Sequence, residues 1–214
     1  MADKPSRINN EKLAHFLSLC RIRCLPARTT IIFPGESSAT LFYIIRGSVS
    51  VLINNDKGHE MVVTYLNKGE FFGEMGLFDI DHWKQDRSAR VRSRTECEIA
   101  EISYAQFHEL TQKDPDLLYA LCGQMAERLR KTTRKACDLA NLDVTGRIAR
   151  TLLELASQPD AMSHPDGMQI RVSRQEIARL VSCSREMVGR VLKSLEDQEL
   201  ITVDGKTIVV FNSR

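Results

Sequence analysis

Between residues 69 and 91 the chain reads GEFFGEMGLFDIDHWKQDRSARV. Gly73 follows a pair of phenylalanines and allows a tight turn. Glu74 and Met75 come directly after it, and Arg87-Ser88 open a β-like alternation further on. A carboxylate accepts hydrogen bonds and a guanidinium neutralises an anion in a fork of donors. Neither is accompanied by a nucleophile or a metal-ligand pair, so the stretch holds binding groups rather than catalytic ones. No H-E-x-x-H helix, Walker lysine or Ser/His/Asp set occurs in a plausible context, and the chain is not expected to be an enzyme.

A second cluster lies in VSRQEIARLVSCSREMVGRVLKSLEDQELITVDGKTIVVF, residues 172–211. Ser173 and Glu176 form an S-x-x-E capping box, with Val172 placed to staple onto Ile177. Ile177, Ala178 and Val181 make the inner face of a short helix. Ser184 caps the next, whose inner face is Met187, Val188, Val191, Leu192 and Leu195. Two short helices across so tight a turn predict a helix-turn-helix. The Asp204-Gly205 turn signal adds a hairpin and makes it winged. Outside on the second helix stand Arg185, Glu186, Gly189, Arg190 and Lys193. Residues 174–193 carry five basic residues against two acidic, while residues 143–214 balance at ten of each. Positive charge is thus concentrated on the face that would lie in a DNA major groove. There arginine can bind guanine bidentately and glutamate can accept from cytosine.

Elements must position these groups. At 214 residues the chain has room for two domains, and 43% apolar content supports ordinary cores. A net charge of +2 is too small to coat nucleic acid generally, so charge placement has to do that work. The polar start MADKPSRINNEK lacks a signal-peptide core and no apolar run approaches a membrane span, which predicts a cytoplasmic protein. The six cysteines are then expected as free thiols, most of them behaving as small buried hydrophobes. Cys20 and Cys24 are read as facing one side of a strand; with Cys122 they leave open a redox- or metal-sensing alternative. Their spacing fits neither C-x-x-C nor the usual iron–sulfur runs.

A helix is expected from Ile8 to Leu19. From Arg28 to Ser103 short alternating runs between turn residues predict an antiparallel barrel or jelly roll with a ligand-sized cavity. LFYIIRGSVSVLI reads as two strands around a turn at Gly47. From Asp116 to Leu139, Leu118, Cys122, Met125, Leu129, Thr132, Ala136 and Leu139 repeat at alternating steps of four and three. Such a heptad seam predicts a parallel coiled coil and a homodimer. NLDVTGR, residues 141–147, marks a boundary. Residues 1–115, 116–141 and 142–214 are then the barrel, the dimerisation helix with its hinge, and the winged head. A helix from Thr145 to Ala156 leads into SQPDAMSHPDGMQ, whose Pro, Asp and Gly predict an irregular loop.

The motifs GEMGLF…RSA, LDVTGRIA, QPDAMSHPDGMQI and SRQEIARLVSCSREMVGR…LKSLED…GKTIVV together resemble the cyclic-AMP receptor protein (catabolite activator) family of bacterial regulators, from about Leu13 to the end. The resemblance implies an α+β chain: an N-terminal β jelly roll binding cyclic nucleotide, a long dimerisation helix and a C-terminal winged helix-turn-helix. It implies cyclic AMP (cAMP) at Gly73, Glu74, Met75, Arg87 and Ser88, with the phosphate on Arg87 and Ser88 and the ribose hydroxyl on Glu74. Arg128 would lie beside the base or Glu74, Thr132 would bond the base, and Thr133 would reach it from the partner subunit. A TGTGA-type half-site would be read by Arg185, Glu186 and Arg190 beside Gly189, with Thr145, Arg174, Ser184 and Lys193 on phosphates. The loop at residues 161–167, around Ser163, His164 and Gly167, would face RNA polymerase.

The chain departs from the family pattern in four places. DIDHWKQD, with the only tryptophan, Trp83, lengthens the ligand loop. Asn141 stands where the hinge usually has phenylalanine. Asp204 replaces a neutral or basic wing residue. Ser182 replaces a glycine, at about 1–2 kcal/mol if that position is left-handed. A subgroup that answers to cyclic di-GMP loses the Arg-Ser pair, so Arg87-Ser88 argue for cAMP, with cyclic GMP left open because the threonine pair could serve either base. A nucleotide-independent DNA-binding dimer with a vestigial pocket is the remaining alternative.

Overall fold

The structure is a computed structural model and describes residues 9–37, 39–54, 60–78 and 86–211. Residues 79–85 of the ligand loop, Trp83 among them, lie outside the described residues. The chain divides into two compact units, residues 1–132 and 133–214.

The first unit opens with helix α1 (Asn10–Ser18), capped by Asn9. Strands β1 (Arg21–Leu25), β8 (Cys97–Ser103), β3 (Thr40–Arg46) and β6 (Phe71–Phe72) form one antiparallel sheet in that order. Strands β2 (Thr30–Ile32), β7 (Arg90–Ser93), β4 (Ser48–Asn54) and β5 (Glu60–Asn67) form the other. The two-residue period assigns faces: Phe42, Ile44, Phe72 and Ile99 join Val49, Leu66 and Val91 in one core. Leu41, Tyr43, Phe71, Ala100 and Ile102 turn to the opposite side. There they meet Phe16 of α1, Phe107 and Leu110 of α2 (Tyr104–Lys113), and Leu117 and Leu121 of α3 (Asp116–Asn141).

The two strands expected around Gly47 are present, but they do not pair with each other. β3 and β4 belong to different sheets, and Gly47, at φ +91°, is the corner between them. A Cβ there would stand 2.3 Å from the Glu96 carbonyl, so only glycine turns this corner.

α3 is one 26-residue helix. Its inner stripe is Leu117, Ala120 and Leu121, which are buried, followed by half-buried Gln124 and Arg128. The heptad seam lies elsewhere on it. Leu129 is 69% exposed and Leu139 58%, and Cys122, Thr132 and Ala136 are also exposed. Met125 alone of the seam is packed against the core.

In the second unit α4 (Val144–Ala156) starts at Asp143, whose Oδ1 accepts from Gly146 N–H at 2.8 Å. Helices α5 (Arg174–Val181) and α6 (Arg185–Asp197) are the helix-turn-helix, and their expected inner faces are buried except for half-buried Met187. The expected irregular loop is instead a hairpin, β9 (Met162–His164) and β10 (Gly167–Arg171). Pro165 and Asp166 supply the turn. Gly167 lets β10 lie against β12 (Thr207–Phe211), since a Cβ would sit 2.0 Å from the Val210 carbonyl. With β11 (Ile201–Asp204) and β12, these strands make a four-stranded sheet ordered β11-β12-β10-β9. Among the described residues no helix is long and apolar enough to cross a membrane.

Candidate nucleotide site and nucleic-acid interface

Gly73 ends β6 at φ +78°, and its missing Cβ makes room for a guanidinium: a Cβ would lie 2.7 Å from Arg87 Nη1. Arg87 donates from Nη1 to the Gly73 carbonyl at 2.9 Å and from Nη2 to the Thr40 carbonyl at 2.8 Å. Its guanidinium carbon is 5.5 Å from the centre of the Phe42 ring. Tyr104, the first residue of α2, accepts from Arg87 Nη1 at 3.3 Å and donates its own proton to the Gly73 carbonyl. Arg87 is therefore fixed by β3, the Gly73 turn and α2 at once. Ser88, next to it, is exposed and makes no hydrogen bond to a described residue.

Glu74 is buried at 8% exposure, and its Oε1 accepts from Arg128 Nη1 at 2.8 Å. Arg128 also donates to the Phe71 carbonyl, while its buried Nε has no hydrogen-bond partner among the described residues. Removing one partner of such a pair strands a buried charge, at about 3–5 kcal/mol. A carboxylate retains acceptor capacity after one arginine. A short 3₁₀ turn, Met75–Phe78, follows, with Leu77 N–H donating to the Glu74 carbonyl. One further turn along α3 from Arg128 stands Thr132, exposed on the same side. Thr133 begins the second unit and is exposed there.

The structure thus brings together Gly73, Glu74, Arg87 and Arg128, which sequence reasoning had named. It adds Thr40 and Tyr104, which reasoning missed. Tyr104 and Thr40 carried no signal, because their link to Arg87 spans 17 and 47 positions of sequence. The cradle suits a singly charged phosphate diester with a neighbouring hydroxyl. A cation fills space that any side chain at residue 73 would take, and a buried acceptor follows at the next residue.

Among the described residues no three His, Cys, Asp or Glu side chains are grouped to hold a metal ion. Cys20 precedes β1 instead of lying on it, and its thiol donates to the Phe16 carbonyl at 3.2 Å. Burial pushes that thiol up to about 12, whereas Cys24 is exposed on the strand. Of the cysteines expected to be buried, only Cys97 is; Cys122 and Cys137 are exposed on α3.

In the second unit Arg174, Arg185, Glu186, Gly189, Arg190 and Lys193 line one open concavity of about 680 Å³ beside α6. Arg185, Glu186, Arg190 and Lys193 are exposed. Ser184 caps α6, accepting from Met187 N–H at 3.1 Å. The Glu186 carboxyl is held below the usual range by its own backbone N–H, then by the Ser184 hydroxyl, with Arg185 and Arg190 adding to the effect. It is an ionised acceptor at neutral pH. Gly189 faces the Arg174 guanidinium, 3.9 Å from where a Cβ would be. Thr145 lies half-buried in the first turn of α4. Ser182 ends α5 at φ +58°, ψ +53°, so the serine does occupy the left-handed conformation that usually selects glycine. Asn141 caps the end of α3 on itself, donating to the Cys137 carbonyl at 2.8 Å. On the β9–β10 hairpin Ser163 is exposed, His164 is half-buried with Nδ1 3.6 Å from Asp166, and Gly167 is buried in the sheet. Gly167 therefore shapes that hairpin and offers no surface of its own.

A nucleotide cradle on a β jelly roll, in one chain with a winged helix-turn-helix, defines a class: ligand-binding transcription regulators. Residues 22–114 match the cyclic nucleotide-binding domain family, and residues 146–213 the Crp-like helix-turn-helix domain family. The chain is 62% identical over 206 residues to the cAMP-activated global transcriptional regulator Vfr of Pseudomonas aeruginosa, covering 95% of this chain and 96% of that one. It is 57% identical over 202 residues to the cAMP-activated global transcriptional regulator CRP of Salmonella typhimurium, covering 94% and 95%. Among solved structures, the c-di-GMP responsive global regulator CLP of Xanthomonas campestris superposes with a TM-score of 0.87 at 48% identity, covering 95% of this chain and all of that one. The chain belongs to the Crp family of cyclic-nucleotide-binding, DNA-binding transcription regulators. Dimerisation is typical of that family.

Proposed function

We propose that this protein is a cytoplasmic, cAMP-gated homodimer that binds TGTGA-type palindromes and contacts RNA polymerase. The observation that carries the reading is the seating of Arg87 in the space left by Gly73, next to buried Glu74. Arg87 and Ser88 would hold the cyclic phosphate, and the backbone at Gly73 and Met75 would line it. Glu74, oriented by Arg128, would accept from the ribose hydroxyl. Thr132, and Thr133 of the partner subunit, would take the base. Retention of the Arg87-Ser88 pair, and the two relatives named as cAMP-activated, favour cAMP over the dinucleotide in the name of the Xanthomonas neighbour.

Function divides along residues 1–115, 116–141 and 142–214. The exposed seam Leu118–Cys122–Leu129–Ala136–Leu139 supports dimerisation, because leaving such apolar groups in water costs about 25 cal/mol per Å². Arg185, Glu186 and Arg190 beside Gly189 would read bases, and Thr145, Arg174, Ser184 and Lys193 would hold phosphates. The β9–β10 turn, with Ser163 and His164 on a frame set by Gly167, would meet RNA polymerase. For gating, nucleotide must bind the DNA-competent arrangement better than the resting one, and the coupling is reciprocal.

The test is fluorescence anisotropy of a TGTGA…TCACA duplex at one stated salt concentration, because phosphate contacts make affinity salt-dependent. It is run without nucleotide, with cAMP, cyclic GMP or cyclic di-GMP, and beside Arg87→Leu. Tightening by cAMP that the variant loses is the expected result. Equal affinity in every arm would make the pocket irrelevant to DNA binding.

A further inference from the structure

β6 is only two residues long and, among the described residues, pairs with a strand on one side alone, β3. Its other edge should present unpaired backbone groups. Two side chains of α3 take them. Gln124 accepts from Phe71 N–H at 2.8 Å through Oε1 and donates to the Gly69 carbonyl at 2.9 Å through Nε2. Arg128, one helical turn later, donates to the Phe71 carbonyl and to Glu74. The amide of Gln124 thus behaves like a peptide group of the missing neighbouring strand: one acceptor and one donor, set to bracket Glu70. The strand it holds leads directly into Gly73 and Glu74.

We propose that Gln124 is a positioning residue that fixes the register of the dimer helix against the ligand-bearing strand, and so passes nucleotide occupancy to the DNA-reading heads. The inference rests on the cAMP-gated reading above. Physically, an amide bracketing two backbone groups is satisfied at one register only. Sliding α3 by a residue moves the amide about 1.5 Å along the axis, about three times the roughly 0.5 Å spread of good N–H···O distances. Leucines 117 and 121 on the same stripe have no such selectivity, because apolar contact is non-directional.

The experiment measures two quantities on the full chain, wild type and Gln124→Met, with Gln124→Ala as a second variant. One is the cAMP dissociation constant by calorimetry; the other is the ratio of duplex affinities with and without saturating cAMP. Methionine keeps length and helix propensity while removing both bonds. The expected result is a cAMP constant within about threefold of wild type and a coupling ratio lowered about fivefold or more, the worth of about one net hydrogen bond. A coupling ratio lowered less than that overturns the proposal. So does a loss confined to cAMP affinity. Should both variants melt early, amide exchange at Phe71 in the wild type decides, since Gln124 is its acceptor: slower exchange with cAMP supports the pin, and equal exchange overturns it. A wild type that ignores cAMP in the same titration refutes the gating reading itself, separately from the role of Gln124.

Discussion

The nucleotide cradle and the recognition helix are built on opposite principles. In the cradle the charged groups also hold the fold: Arg87 ties Gly73, Thr40 and Tyr104 together, and Glu74 is buried against Arg128. On α6 the side chains proposed to read bases, Arg185, Glu186 and Arg190, stand exposed, while Val188, Val191, Leu192 and Leu195 on the opposite face carry the packing. One site is assembled from four separate elements; the other is one face of a single helix. The difference teaches that sensing and reading carry different risks. A cradle cannot be altered without disturbing its unit, whereas a recognition face can be rewritten at little structural cost.

Substitutions test that contrast. Arg87→Leu should weaken cAMP binding about 100-fold or more, as loss of two charge-assisted bonds implies. It should also lower the melting temperature of the ligand-free protein, because the Thr40 carbonyl loses its guanidinium donor and the Gly73 carbonyl is left with Tyr104 alone. An unchanged melting curve would break the comparison. Arg190→Ala should weaken a TGTGA-type duplex about 10- to 100-fold and relax preference at one guanine. Here cAMP affinity and melting temperature should stay at wild-type values, and a clear drop in either would show that α6 is not the free face described. Tyr104→Phe sharpens the first case. It removes only the hydroxyl between Arg87 and the Gly73 carbonyl and should raise the cAMP dissociation constant about fivefold, by calorimetry. Ser182→Gly is the mildest. Relief of a left-handed serine should stabilise the helix-turn-helix by about 1 kcal/mol, a rise of a few degrees in thermal melting, with operator affinity unchanged.

The same contrast explains what could be read in advance. The helix-turn-helix was legible down to its caps, since Ser173, Ser184 and the apolar positions act within a few residues of one another. The cradle was legible in its charged members, because Gly73, Glu74 and Arg87 are local in motif even though their partners are distant. Gln124 was invisible. A glutamine on a helix carries no periodic signal, and its purpose depends on a strand more than fifty positions away. The hairpin at residues 162–171 was misjudged because Pro, Asp and Gly mark turns without saying whether strands flank them.

By itself the sequence determined which faces are apolar, where helices begin, where the chain must turn and where charge gathers. Those are short-range matters of periodicity, capping and backbone freedom. Only the tertiary structure decided that Gly47 divides β3 and β4 between two sheets, and that the α3 seam, Met125 apart, is left exposed while a neighbouring stripe packs. It also decided that Arg87 would be held by groups on three elements. Strand partnership and polar satisfaction are settled among all exposed backbone edges at once, and no local stretch contains that information.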